Sequence, residues 1–433
     1  MCYTIYKFYL KGEKHMKKLR RVIALFAAAA MMAASIGCSK EVTAEDLMVN
    51  IQEGNASEPY VDDTFCECYS IAAFNLLKNE YSQNGSNVVL SPLAVYYNLS
   101  MLTNGATGQT KDDLQNMFSR RFFSEQLNSN MHSFDENLKD TDKSKLYFEN
   151  ALWFNSDKNI QPSEDFLVTA KTYYHLDAYR ETFSEETVKN INNWASNKTN
   201  MYFERILKEM PTDVPLYLTN TTLLEADWEA PVSPANVFDA KFKTSSGTEQ
   251  DVQMMSSVEK IYIGDEYMEG FIKKYSGGNY AFLAMVPKNA NSTSLETLLS
   301  SLTRDSYYRQ LIKKRKDYLL VDACLPKFSC AYNGEIKNMM EKANLGGVFN
   351  SQYCDLVAIG TCSENLYLGN MSVSTGLNVT ESGTNRGTGA NVGNFDGSVN
   401  MIPVNLNRPF VFAVVDTKRY LPVIVGAVNA VKE

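Results

Sequence analysis

Histidine is nearly missing from this chain: there are three in 433 residues, and only His132 and His175 lie beyond the first forty positions. Neither stands in a recognisable catalytic setting, and no Gly-x-Ser-x-Gly elbow or His-Glu-x-x-His run occurs. A His-dependent triad is therefore not expected, and both imidazoles read as ordinary surface or core side chains. Cysteine is sparse too. Beyond Cys38 there are Cys66, Cys68, Cys324, Cys330, Cys354 and Cys362, too few for a disulfide scaffold, although an exported protein could pair them. Cys66 and Cys68 are too close for an easy mutual bridge and lack the second pair that a zinc site needs, so no metal is expected, nor any cofactor. The longest apolar run, residues 22–36, falls short of the roughly 20 residues that span a bilayer.

That run has another reading. Lys17, Lys18, Arg20 and Arg21 precede it and Ser35-Ile36-Gly37-Cys38 closes it, which is the layout of a secretory signal peptide. A small residue before a Cys resembles the bacterial lipobox, so residues 1–37 are expected to be removed and Cys38 to carry lipid. An ordinary cleaved signal with an incidental Cys is the alternative. Residues 1–15 add nothing to the signal and read as an upstream start artefact. Removal takes seven of the 42 Lys/Arg and one of the 50 Asp/Glu, leaving 35 basic and 49 acidic side chains, a net −14. Such a balance disfavours nucleic acid and anionic lipid surfaces as partners. The expected location is the cell surface or a periplasmic face, otherwise secretion.

The apolar fraction of 44% is that of a protein with a sizeable core. Residues 38–62 are polar, acidic and aperiodic, and read as a tether. The fold is expected over 63–433. Ile71, Ala72, Phe74, Leu76 and Leu77 recur at helical spacing, giving an amphipathic first helix. From Asn87 come a short apolar strand, a Ser91 cap with Pro92 at the first helical position, a helix, and a glycine stop near Gly105 and Gly108. A second helix is predicted over 111–118. Strand-like runs alternate with helical ones in the first half and dominate the second, a pattern of α+β class with a large mixed sheet.

Asn87 followed by three apolar residues, Ser91-Pro92, an apolar helix and Gly105-Ala106-x-Gly108-x-Thr110 resembles the opening signature of the serpin family. Asn150-Ala151-Leu-Trp-Phe154, Ile191-Asn192-Asn-Trp194, Leu218-Thr-Asn220 with Trp228 eight residues on, Leu325-Pro326-Lys327-Phe328 and Arg408-Pro409-Phe410 resemble later landmarks of that family, in its order. The resemblance implies one domain of three β-sheets and about nine helices with an exposed reactive loop, acting as a monomer without catalytic residues of its own. It also implies structural roles for Asn220, Trp228, Ser91 and Asn192 around the point where a strand enters the main sheet.

Residues 381–398, ESGTNRGTGANVGNFDGS, hold one aromatic and one branched aliphatic, Phe395 and Val392. They cannot bury enough apolar surface to hold themselves in place, yet strand-like runs bracket them at 366–380 and 399–404. A long tethered segment of this kind is normally functional. It reads as an exposed bait loop, reactive over 381–402.

The family resemblance implies that a target endopeptidase, serine or else cysteine, cleaves the loop, whose freed hinge then inserts as a central strand. Glu381-x-Gly383-Thr384 resembles the family hinge and places Thr384, Arg386, Thr388, Ala390 and Val392 on the inward face. Thr384 suits that face. Arg386 does not, because an unpaired buried guanidinium costs several kcal/mol, and glycines 387, 389 and 393 weaken strand propensity by up to about 1 kcal/mol each. A carboxylate partner, snorkelling or a bulge would relieve Arg386. Counting forward from the hinge puts the scissile residue at Gly397, and counting back from Pro409-Phe410 puts it at Ser398. Gly397-Ser398 suits an elastase-like pocket, Phe395 a chymotrypsin-like or papain-like one. The alternative function is a serpin fold that no longer inhibits and serves as a substrate-like decoy or surface binding protein.

Overall fold

Pro92 through Leu102 contains no charged residue, and a helix apolar on every side has to be surrounded. In the computed structural model, which describes residues 39–81, 86–288, 294–304, 306–385 and 400–432, every residue of the Pro92–Leu102 helix is buried. Its start is the predicted one: Ser91 Oγ accepts from the Ala94 amide at 3.0 Å, with Pro92 next. The Asp63–Glu80 helix is capped by Asp62 and buries Phe65, Tyr69, Phe74 and Leu77, with the Tyr69 ring against Tyr96 of the Pro92–Leu102 helix. The following helix is Gly108–Gln115, earlier than the predicted 111–118, because Gly108 takes a positive φ of 52° and turns the chain directly into it.

Among the described residues nine α-helices accompany sheets of seven, six and four strands and a two-stranded ribbon, Gly360–Thr361 with Gln161–Pro162. Residues Val42–Glu433 form one unit. The six-stranded sheet is built around Phe410–Asp416 and Pro422–Val428, whose residues are all buried, as expected of strands covered on both faces. Their hairpin pairing depends on Gly426, where a Cβ would fall 2.3 Å from the Phe412 ring. The four-stranded sheet runs Ile402–Asn405, Val321–Pro326, Glu249–Glu259, Val237–Lys243.

The main sheet has seven strands. In spatial order its strands are Glu45–Asp46, Asp177–Glu181, Ser144–Asn155, Leu216–Asp227, Gly383–Thr384, Leu368–Val379 and Phe328–Glu335. Leu216–Asp227 and Leu368–Val379 are its central strands. One face meets the main core; the other packs on the Glu185–Lys198 helix through Trp194, Trp153, Tyr217 and Leu223.

The expected tether over 38–62 is corrected from Val42 onward. Glu45 and Asp46 pair with Arg180 and Tyr179 as an added edge strand, and Arg180 grips Glu45 with two bonds of 2.8 and 2.9 Å. Lys171 Nζ donates to the Ile51 carbonyl at 2.7 Å, Thr172 Oγ1 accepts from the Gly54 amide, and Ser129 Oγ donates to Glu58. Polar, aperiodic sequence lacks an apolar face, but an open sheet edge and side-chain donors on neighbouring helices order its backbone instead.

Candidate functional site

The two central strands run parallel, paired from Leu368 with Leu216 up to Gly376 with Leu223. Facing one another there are Ser372, Ser374 and Thr375 on one strand and Thr219, Asn220, Thr221 and Thr222 on the other. The hydroxyls of Thr221 and Thr375 are buried without a partner, each a cost of about 1–3 kcal/mol. Asn220 answers one part of that polarity. Its Nδ2 donates to Asn150 Oδ1 at 2.8 Å and to the Glu149 carbonyl at 3.1 Å, while Asn98 Nδ2 reaches the same Asn150 oxygen at 2.6 Å.

Above Gly376 the central strands part, and Gly383–Thr384 lies between them. Thr384 pairs with Val379 on one side and Ala226 on the other, and Gly383 with Asp227, antiparallel to both strands. The expectation of an exposed loop therefore fails for its first residues. Gly383 and Thr384 are buried, and a Cβ at Gly383 would stand 1.9 Å from the Ala226 carbonyl oxygen. Burial follows from pairing on both sides, which no count of apolar residues reveals. Thr384 faces inward, its hydroxyl 2.5 Å from that of Tyr275.

Trp228 holds the turn above. Its amide donates to the Ser382 carbonyl at 2.8 Å and its indole nitrogen to the Thr380 carbonyl at 2.9 Å; the Val232 amide donates to Glu381 at 2.8 Å. The indole stacks on Tyr275 with centroids 4.3 Å apart. Lys327 pairs with Glu381. Burial pushes the Glu381 carboxyl up, but the Lys327 hydrogen bond, a backbone bond and the Lys327 charge together hold it below the usual carboxylate range.

Ser91 lies where expected, capping its helix and donating to the Val423 carbonyl at 3.0 Å. Asn192, on the Glu185–Lys198 helix that covers the main sheet, bonds Ile206 and Leu207 and pins the segment after that helix. Helical sequence context could not say which neighbour this half-buried amide would meet. His132 and His175 both face Asp135, at 3.7 and 3.2 Å, and Asp135 raises the His175 pKa through their hydrogen bond. The six cysteines from Cys66 to Cys362 are free thiols. Among the described residues no cluster of His, Cys, Asp or Glu is arranged for a metal, and no helix is long and apolar enough to cross a membrane. Cys38, Arg386, Phe395, Gly397 and Ser398 lie outside the described residues. The roles of Tyr275 and Lys327 escaped sequence reading, since no local pattern pairs Lys327 with a carboxylate 54 positions away.

The family model described as serpin (serine protease inhibitor) matches residues 69–431. The chain belongs to the serpin family. Among relatives, an uncharacterized serpin-like protein of Methanosarcina acetivorans is 25% identical over 346 residues, covering 76% of each chain. Serpin A3-1 of Bos taurus is 27% identical, covering 79% of this chain and 83% of its own. The crystal structure of the thermophilic serpin tengpin in its native state superposes with a TM-score of 0.84 at 31% identity, covering 90% of this serpin and 100% of tengpin.

Proposed function

We propose that this serpin inhibits a serine, or else a cysteine, endopeptidase by loop cleavage and strand insertion. The observation that carries the reading is the pairing of Gly383–Thr384 with both central strands. The first rung of an inserted strand is already in place, and the seam below it is the polar, incompletely bonded one. A protease nucleophile attacking the scissile carbonyl forms an acyl-enzyme and releases the chain beyond as a free amine. The freed hinge then continues antiparallel to both neighbours, gaining ladder bonds on each side before water can hydrolyse the ester or, with a cysteine enzyme, the thioester. The protein supplies no catalytic group.

Incubation of the mature chain with elastase-, chymotrypsin- and papain-like enzymes is expected to give an SDS-resistant adduct with at least one. Cleavage by all of them with no adduct would overturn inhibition. It would favour the second reading, a decoy or surface binding protein, which Arg386 and glycines 387, 389 and 393 support. We also propose export and lipid attachment at Cys38, carried by the residue 17–38 pattern. Radiolabelled palmitate incorporation that persists in Cys38→Ala would overturn the attachment site.

A further inference from the structure

Tyr217 lies one rung from the lower end of the central strand pair, and its ring is buried on the face covered by the Glu185–Lys198 helix. Its hydroxyl donates to Glu335 Oε1 at 2.9 Å. The two residues are not on neighbouring strands. Tyr217 is in register with Asn370, and Glu335 with Ser372, so the bond passes over the Leu368–Val379 strand that separates them. Burial, and after it the Glu335 charge, push the Tyr217 pKa up, so the hydroxyl keeps its proton and goes on donating. Higher in the seam the hydroxyls do not bridge it. Those of Thr221 and Thr375 are unpartnered, Thr222 bonds Asn220 on its own strand, and Ser374 bonds Asn333 on the outer strand.

Insertion places a new strand between Leu216–Asp227 and Leu368–Val379, as Gly383–Thr384 already lies between their upper ends. An added strand widens a sheet by about 4.8 Å. The outer strand Phe328–Glu335 moves with the Leu368–Val379 strand to which it is paired, so Glu335 recedes from Tyr217 by that amount. Two side chains that already reach over one strand do not reach over two, and the bond has to break. Thr384 pairs with Ala226, nine positions above Tyr217, so a strand continued in this register comes level with Tyr217 nine residues on, at position 393.

We infer that Tyr217 and Glu335 are positioning residues that close the lower end of the seam, leaving the first rungs of insertion unhindered and opposing its completion. This role rests on the insertion reading above. In the intact protein the bond keeps the central strands together below the hinge, and after cleavage its rupture belongs to the last part of the strand's travel. It takes no part in the chemistry of cleavage.

The test uses the intact protein and two synthetic peptides: residues 385–397, which run past the level of Tyr217, and residues 385–391, which stop two rungs short of it. Uptake into the main sheet is followed by native electrophoresis and by the rise in thermal midpoint. In Tyr217→Phe, which removes one oxygen atom, uptake of the long peptide is expected to be about tenfold faster, the worth of one hydrogen bond to a charged group. Uptake of the short peptide is expected to be unchanged. With the long peptide in place the midpoint of the variant is expected to be no lower than that of the wild type, because the bond is then absent from both. Glu335→Ala is expected to do the same, and the double variant to be no faster than either single one. Long-peptide uptake at the wild-type rate, equal acceleration of both peptides, or multiplied effects in the double variant would overturn this role while leaving insertion standing. If the short peptide does not enter, the double variant decides. Absence of long-peptide uptake in the wild type would overturn the insertion reading, and this role with it.

Discussion

Lys327 and Glu381, 54 positions apart, form an ion pair between the residue that links Val321–Pro326 to Phe328–Glu335 and the turn that follows Leu368–Val379. One carboxylate oxygen takes the ammonium; the other, Oε2, is buried without a partner. Residues 380–382 are thus held by one charged contact and three bonds to the Trp228–Val232 segment.

Lys327→Ala is expected to lower the stability of the intact protein by about 1–3 kcal/mol, the range for a hydrogen bond to a charged group. The Glu381 pKa is depressed in the fold, so its contribution is complete above the unfolded value and lost as pH falls through the lower folded one. Urea titrations at pH 7 and pH 3 check both: the gap between wild type and Lys327→Ala is expected to narrow at pH 3.

Gly383→Ala places a methyl against the Ala226 carbonyl, 1.9 Å away, in a pair that cannot shift without breaking the Thr384 rung. A loss of about 1–3 kcal/mol is expected in the intact protein, typical of overpacking. Denaturant unfolding measures it, and hydrogen exchange at Thr384 should show the rung opening.

His175 gives a prediction of opposite sign in pH. Its pKa is raised by the hydrogen bond to Asp135, so the contribution is complete below the unfolded value near 6.5 and vanishes as pH rises through the raised folded value. Because the imidazole is 58% exposed, the effect is that of a surface pair, about 0.2–1 kcal/mol. Thermal midpoints of His175→Gln and wild type should differ at pH 5.5 and converge at pH 9.

The segment 42–61 is expected to resist limited proteolysis despite its composition. Arg180→Ala removes both bonds to Glu45 and should cost about 0.2–1 kcal/mol globally. Its clearer signature is faster cleavage within 42–61, read by mass mapping.

Two parts of this molecule were legible in the chain: the Ser91 cap with Pro92, and the apolar 410–428 hairpin. Each is a local rule, in which neighbours along the chain decide the conformation. The order of family landmarks was equally legible, and it led to the family that the comparisons establish. The edge strand at Glu45–Asp46, the Asn192 partners and the burial of Gly383 were not, for each is made by groups more than ten positions away.

The sequence by itself determined which segments could be strand or helix, and which stretch was too polar and glycine-rich to form core. Periodicity and side-chain chemistry act over a few residues, and they suffice for that. Only the tertiary structure decided that Gly383 and Thr384 lie inside the sheet and that Trp228 and Lys327 bind the residues just before them. Those contacts exist because folding brings together chain segments whose distance in sequence carries no record of their distance in space.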